Sequence, residues 1–250
     1  MIAAAPLVSL PMYDWPEFRA ATDAFWAGLA RHLGVSAALN REGQYDGLWR
    51  RPDLWFSQTC GYPFTHEFNG LLHYVATPHY HADGCGGPLY RSILFARENL
   101  ALSDLRGARP AINSMDSMSG MLALRLAFAG LNRSGDFFAP AFMSGSHLAS
   151  LAAVQQGRAD VCAVDCVCVA LAKRYRPDAL KGLVEIARSP QVPGLPFVTR
   201  SGHVEALRGG LQAAFADPAL AETREKLLLE SVSVLPAGAY NIIPQLEAKL

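Results

Sequence analysis

The chain has 250 residues, 51% of them hydrophobic, which supplies apolar material for a large core and excludes intrinsic disorder. Its 22 basic and 22 acidic side chains cancel, and no basic run carries interleaved aromatics, so no nucleic-acid partner is expected. No apolar stretch reaches about 18 residues, so no membrane-crossing helix is expected either.

In chain order, residues 3–10 read as a buried first strand, with a turn at Tyr13-Asp14-Trp15-Pro16. A helix is expected over 17–33, because Phe18, Ala21, Thr22, Phe25, Leu29 and Leu33 fall on one helical face, and Gly34 ends it. Short strands follow at 36–39 and 53–58, the second ending in Gln58-Thr59-Cys60-Gly61-Tyr62. Residues 71–77 read as a strand, 78–88 as an irregular loop, 91–97 as a strand, 102–107 as a helical turn and 109–113 as a strand. In the second half, 137–142 is extended and the helix 148–156 is stopped by Gly157. The strand 159–164 closes at Asp165, and a helix runs on to Tyr175. Residues 184–187 form a strand, 189–196 a proline-rich crossing and 197–199 another extended piece; helices at 204–216 and 218–230 precede a last short helix. This alternation implies an α/β fold with mainly parallel sheets flanked by helices, in one domain or two.

In open α/β sheets, ligands sit beyond the carboxyl ends of strands. Three segments occupy such places: Ser117-Met118-Ser119-Gly120, Ser144-Gly145-Ser146-His147, and Asp165. A helix start leaves backbone N–H groups without partners and carries partial positive charge, so small residues with hydroxyls there can seat an anion without Lys or Arg. The alternative is plain capping, by Asp116 or Ser117 in the first segment, by Ser146 in the second and by Asp165 in the third. His147 is then a donor to the ligand or an ordinary first-turn histidine.

The five cysteines are an odd number in a long chain, which argues against a disulfide scaffold. Neither Cys162, Cys166 and Cys168 nor His79, His81 and Cys85 has the usual spacing of zinc ligands, so no metal and no cofactor are expected. Cys60, beside Gly61 at a strand end, is a candidate nucleophile with no evident base. The N-terminal stretch MIAAAPLVSLPMYDWPEF has no Lys or Arg before its apolar run and lacks the charged start of a secretory signal. Either the protein acts inside the cell or a signal lies outside this sequence.

Taken together, NSMDSMSG (113–120), SGSH (144–147), AAVQQGRADVCAVD (152–165), SPQVPGLPFVTR (189–200), QTCGY (58–62) and GPLYRS (87–92) resemble the phosphate/phosphonate-binding components of ABC transporters, within the type 2 periplasmic binding protein fold. The resemblance implies two α/β lobes, 1–86 plus 190–250 and an inserted 87–189, with hinge crossings near 85–88 and 189–196. They would close on a small oxyanion-bearing ligand, phosphate or phosphonate first. The implied ligand-binding residues are Tyr13, Gln58, Thr59, Tyr62, Tyr90, Ser117, Met118, Ser119, Gly120, Ser146, His147 and Asp165. Met118 stands where the family pattern has threonine, which removes one hydroxyl and leaves its backbone N–H. Leu195 and Val167 stand where aminophosphonate binders carry carboxylates, so an amine on the ligand is unsupported unless Asp165 accepts it. Tyr13, Trp15, Tyr62 and Tyr90 could wall a flat or apolar group. The implied partner is an ABC permease, the implied compartment the periplasm and the implied state a monomer. The rival readings are an enzyme on the same fold using Cys60 and His147, and a cytoplasmic ligand sensor.

Overall fold

The computed structural model describes residues 6–131 and 137–250. Part of the expected first strand, residues 3–5, lies outside them. Contacts divide the chain into two compact units: Met1–His81 with Pro193–Ala239, and Ala82–Val192 with Tyr240–Leu250. The last segment was expected with the first lobe. It packs instead in the second unit, where Ile243 is fully buried and Glu247 lies 3.4 Å from Arg125.

The first unit is built on a five-stranded sheet in the order Leu7–Ser9, Leu54–Gln58, Phe197–Thr199, His73–Tyr80, Leu229–Ser233. The helix Arg19–Leu33 presents Phe25, Trp26 and Leu29 to the core and ends at Gly34. Only the first two strands pair in parallel; Phe197–Thr199 runs against both neighbours and Leu229–Ser233 against His73–Tyr80.

Several local expectations change here. Residues 36–39 shrink from a strand to a single bridge between Val8 and Leu39. Short helices at Tyr45–Arg50 and Gly61–Thr65 had no periodic signature. The strand expected to end at Thr77 runs on to Tyr80, because Pro78 and His79 pair with Val232 and Ser231. The helix expected over 218–230 stops at Lys226. Leu228 takes a left-handed backbone (φ 56°), which turns the chain into the strand Leu229–Ser233.

The second unit holds a sheet in the order Phe142–Met143, Pro110–Ile112, Val161–Asp165, Ser92–Ala96, Val184–Arg188. The first three strands are parallel, as crossover connections through helices require. Ser92–Ala96 is antiparallel to both its neighbours. Both sheets are therefore mixed rather than mainly parallel, within the expected α/β class. The helices His147–Gln155 and Cys166–Tyr175 begin where parallel strands end.

Candidate functional site

The segment after strand Pro110–Ile112 opens a helix with a wide turn. The N–H of Leu122 reaches back five residues to the carbonyl of Ser117 (3.0 Å), and the N–H of Ala123 does the same to Met118. Such π-type turns recur at functional sites. Ser117 caps the turn, its Oγ accepting from the N–H of Gly120 at 2.9 Å. The N–H groups of Met118 and Ser119 take no acceptor among the described residues. Gly120 is required by space: a Cβ there would lie 1.7 Å from Oδ1 of Asn113. Asn113 began the motif but had no assigned role, and nothing in its spacing shows this contact. The Met118 side chain is 1% exposed and belongs to the core.

The second segment is tied to the same strand. Ser144 donates from its N–H (2.9 Å) and from its hydroxyl (3.1 Å) to the carbonyl of Ile112. Ser146 then caps the helix His147–Gln155, accepting from the N–H of Ala149 at 3.2 Å. This places His147 in the first turn with Nε2 2.8 Å from the Ser119 hydroxyl. Burial pulls the His147 pKa down to about 4, opposed by the carbonyl of Ala163. The ring is therefore neutral near pH 7. The turn at 117–120 and His147 form one group: two backbone donors, a buried hydroxyl and an imidazole.

Asp165 caps the helix that follows it. Its Oδ1 accepts from the N–H groups of Val167 (2.7 Å) and Cys168 (3.3 Å), and the residue is 1% exposed. Tyr90, on the short strand Leu89–Tyr90, is likewise buried.

In the first unit, Gln58 is buried and donates from Nε2 to the hydroxyl of Tyr80 and to the carbonyl of Leu195, both at 3.1 Å. Tyr13 meets the Tyr80 ring edge-on at 5.3 Å and holds a left-handed φ of 60°. Such strain in a non-glycine residue clusters at functional positions. Tyr13, Gln58, Tyr80, Phe18 and Phe197 line a small cavity of about 30 Å³ within this unit. Tyr80 was missed because it fell in an expected loop. Thr59 is fully buried, its N–H bonded to the Pro196 carbonyl. Tyr62 stacks on His66 with ring centroids 3.9 Å apart, and Trp15 leans on Phe18 at 5.9 Å. Among the described residues, no group of three His, Cys, Asp or Glu side chains could hold a metal ion.

Residues 8–234 match the family described as "ABC transporter, phosphonate, periplasmic substrate-binding protein". The chain belongs to this family. The family is one of transport components and not of enzymes; it binds small ligands and works with ABC transporter permeases. The structure of this binding protein is similar to that of PhnD1 from Prochlorococcus marinus in complex with methylphosphonate, at 17% identity and TM-score 0.78, covering 98% of this chain and 97% of that one. A binding-protein component of an ABC phosphonate transporter from Pseudomonas aeruginosa gives 17% identity and TM-score 0.77, over 97% and 86% of the two chains. A Xanthomonas citri protein bound to chloride ion gives 19% identity and TM-score 0.72, over 98% and 96%. These likenesses carry the two-lobe periplasmic-binding-protein fold. No curated protein matches the chain in sequence.

Proposed function

We propose that this binding protein captures a phosphonate or a closely related tetrahedral oxyanion through Ser117–Gly120 and His147, and delivers it as a periplasmic monomer to its permease. The two units serve as the two lobes that such a binder closes. The observation that carries the reading is the wide first turn: the unpaired N–H groups of Met118 and Ser119 lie beside a hydroxyl and an imidazole already 2.8 Å apart. Helix-start N–H groups favour negative charge, and a neutral imidazole can donate without holding a competing anion. The methylphosphonate bound by PhnD1 supports the same ligand class.

The ligand is proposed to carry no amine. The positions where the resemblance puts amine-binding carboxylates hold Leu195 and Val167, both buried and apolar. Asp165, the remaining candidate, has its Oδ1 engaged by two backbone N–H groups.

Calorimetric titration of the full chain with methylphosphonate, phosphate, sulfate, acetate and 2-aminoethylphosphonate tests both points. Methylphosphonate is expected to bind, and more tightly than its amino analogue. Ser119→Ala should weaken it roughly tenfold or more, as for loss of a hydrogen bond to a charged group. No heat from any oxyanion would overturn the reading.

A further inference from the structure

Two thiols outside the anion seat face one another in the second unit. The Sγ atoms of Cys85 and Cys166 are 3.5 Å apart. Cys85 is half-buried on the loop that begins this unit, and Cys166 is the buried first residue of the helix Cys166–Tyr175. The loop is held against that helix by other contacts. Gly84 lies so close that a Cβ on it would stand 2.9 Å from Cβ of Cys166, and its φ of 106° suits only glycine. Its carbonyl accepts from Gln191 at 3.3 Å, and Asp83 takes both Nη atoms of Arg188, at 2.8 and 2.7 Å. The two sulfurs are thus juxtaposed by the backbone. A disulfide needs them at about 2.05 Å, an approach of roughly 1.5 Å.

We propose that Cys85 and Cys166 form a reversible disulfide that fastens the loop at the start of the second unit to the first turn of helix Cys166–Tyr175. The family is periplasmic, and the bacterial periplasm is an oxidising compartment. The oxidant is a disulfide-bearing molecule of the thiol-oxidase or glutathione type. Cys85, the more exposed sulfur, loses its proton and attacks one sulfur of that disulfide, releasing the first thiol. The Cys166 thiolate then attacks the Cys85 sulfur in the mixed disulfide and releases the second. Two electrons pass to the oxidant, and the two protons leave with the two released thiols. The hydrogen bond with the facing Cys166, and then burial, raise the Cys85 pKa, so the thiolate fraction is small and the first step is slow.

The test uses the full chain, reduced and then incubated with excess oxidised glutathione at pH 8 for several hours. Unfolding in iodoacetamide followed by intact-mass and peptide analysis should show three alkylated cysteines, a loss of two mass units before alkylation, and a Cys85–Cys166 cross-linked peptide. The oxidised form should melt roughly 5–15 °C higher than the reduced one, since the bond closes a long loop. Cys85→Ser and Cys166→Ser should each abolish the cross-link, while Cys60→Ser should leave it intact. Because the wild-type peptide map is itself decisive, a variant that fails to fold does not rescue the idea. Five alkylated cysteines after oxidation, glutathione retained on Cys85 without a cross-link, or a cross-link persisting in Cys85→Ser would overturn it.

Discussion

Oδ1 of Asn113 stands where a side chain on Gly120 would begin, 1.7 Å from the position of its Cβ. The strand end and the first turn of the seat are in contact through that pair. Gly120→Ala should therefore cost about 1–3 kcal/mol by overpacking and also disturb the N–H that Ser117 holds. In an Asn113→Ala background the penalty should fall, because the obstructing oxygen is gone. Urea unfolding of the two single variants and the double variant checks this; equal penalties in both backgrounds would refute the contact.

His147 makes stability depend on pH in a defined window. Its pKa falls from the ordinary 6.5 to about 4 in the folded protein. Between those values the unfolded chain binds more protons than the folded one, so acidification favours unfolding. Above about 6.5 the contribution is fully present. The stability of the wild type minus that of His147→Gln should be flat above pH 7 and decline as pH drops from 6.5 towards 4. A difference that stays constant through the window would show that the ring is not held neutral.

Asp165 is expected to matter for folding more than for ligand choice. Asp165→Ala removes the acceptor for two first-turn N–H groups and should cost about 1–2 kcal/mol in urea unfolding. Asp165→Ser should recover part of this, since serine also caps. A large change in the ratio of methylphosphonate to aminophosphonate affinity in Asp165→Ser would assign the carboxylate to the ligand instead.

Gln58 bridges the hydroxyl of Tyr80 and the carbonyl of Leu195 from a buried position. Gln58→Leu leaves both without its amide and should lower stability by about 1–3 kcal/mol. Thermal unfolding gives the answer directly, and an unchanged midpoint would mean that water replaces the amide at no cost.

Much of this was readable from local chemistry. The helix Arg19–Leu33 followed from its apolar stripe and Gly34, and the helices after Ser146 and Asp165 from the capping residues before them. The strand Leu229–Ser233 was hidden because Leu227, Leu228 and Leu229 continue a helical stripe. Only the turn at Leu228 and pairing with residues 77–80, about 150 positions earlier, separate the two outcomes. The contact between Asn113 and Gly120 was hidden for a different reason: it depends on how closely two backbones approach, which residue types do not encode. The pairing of Ser119 with His147 was legible only as two motifs in order, with the distance supplied by the strand that anchors both.

The first turn of the seat holds one residue more than an α-helix would place there. The wide turn absorbs that surplus locally, so the helix beyond keeps its phase. Deleting a single residue within 118–122 would let this turn close to ordinary α geometry, with the helical segment beyond it keeping its phase. Leu124, 2% exposed, would stay in the core and Arg125 at the surface. Seat and core are therefore separable in length: losing the surplus residue would alter the ligand's donors and spare the helix's buried face.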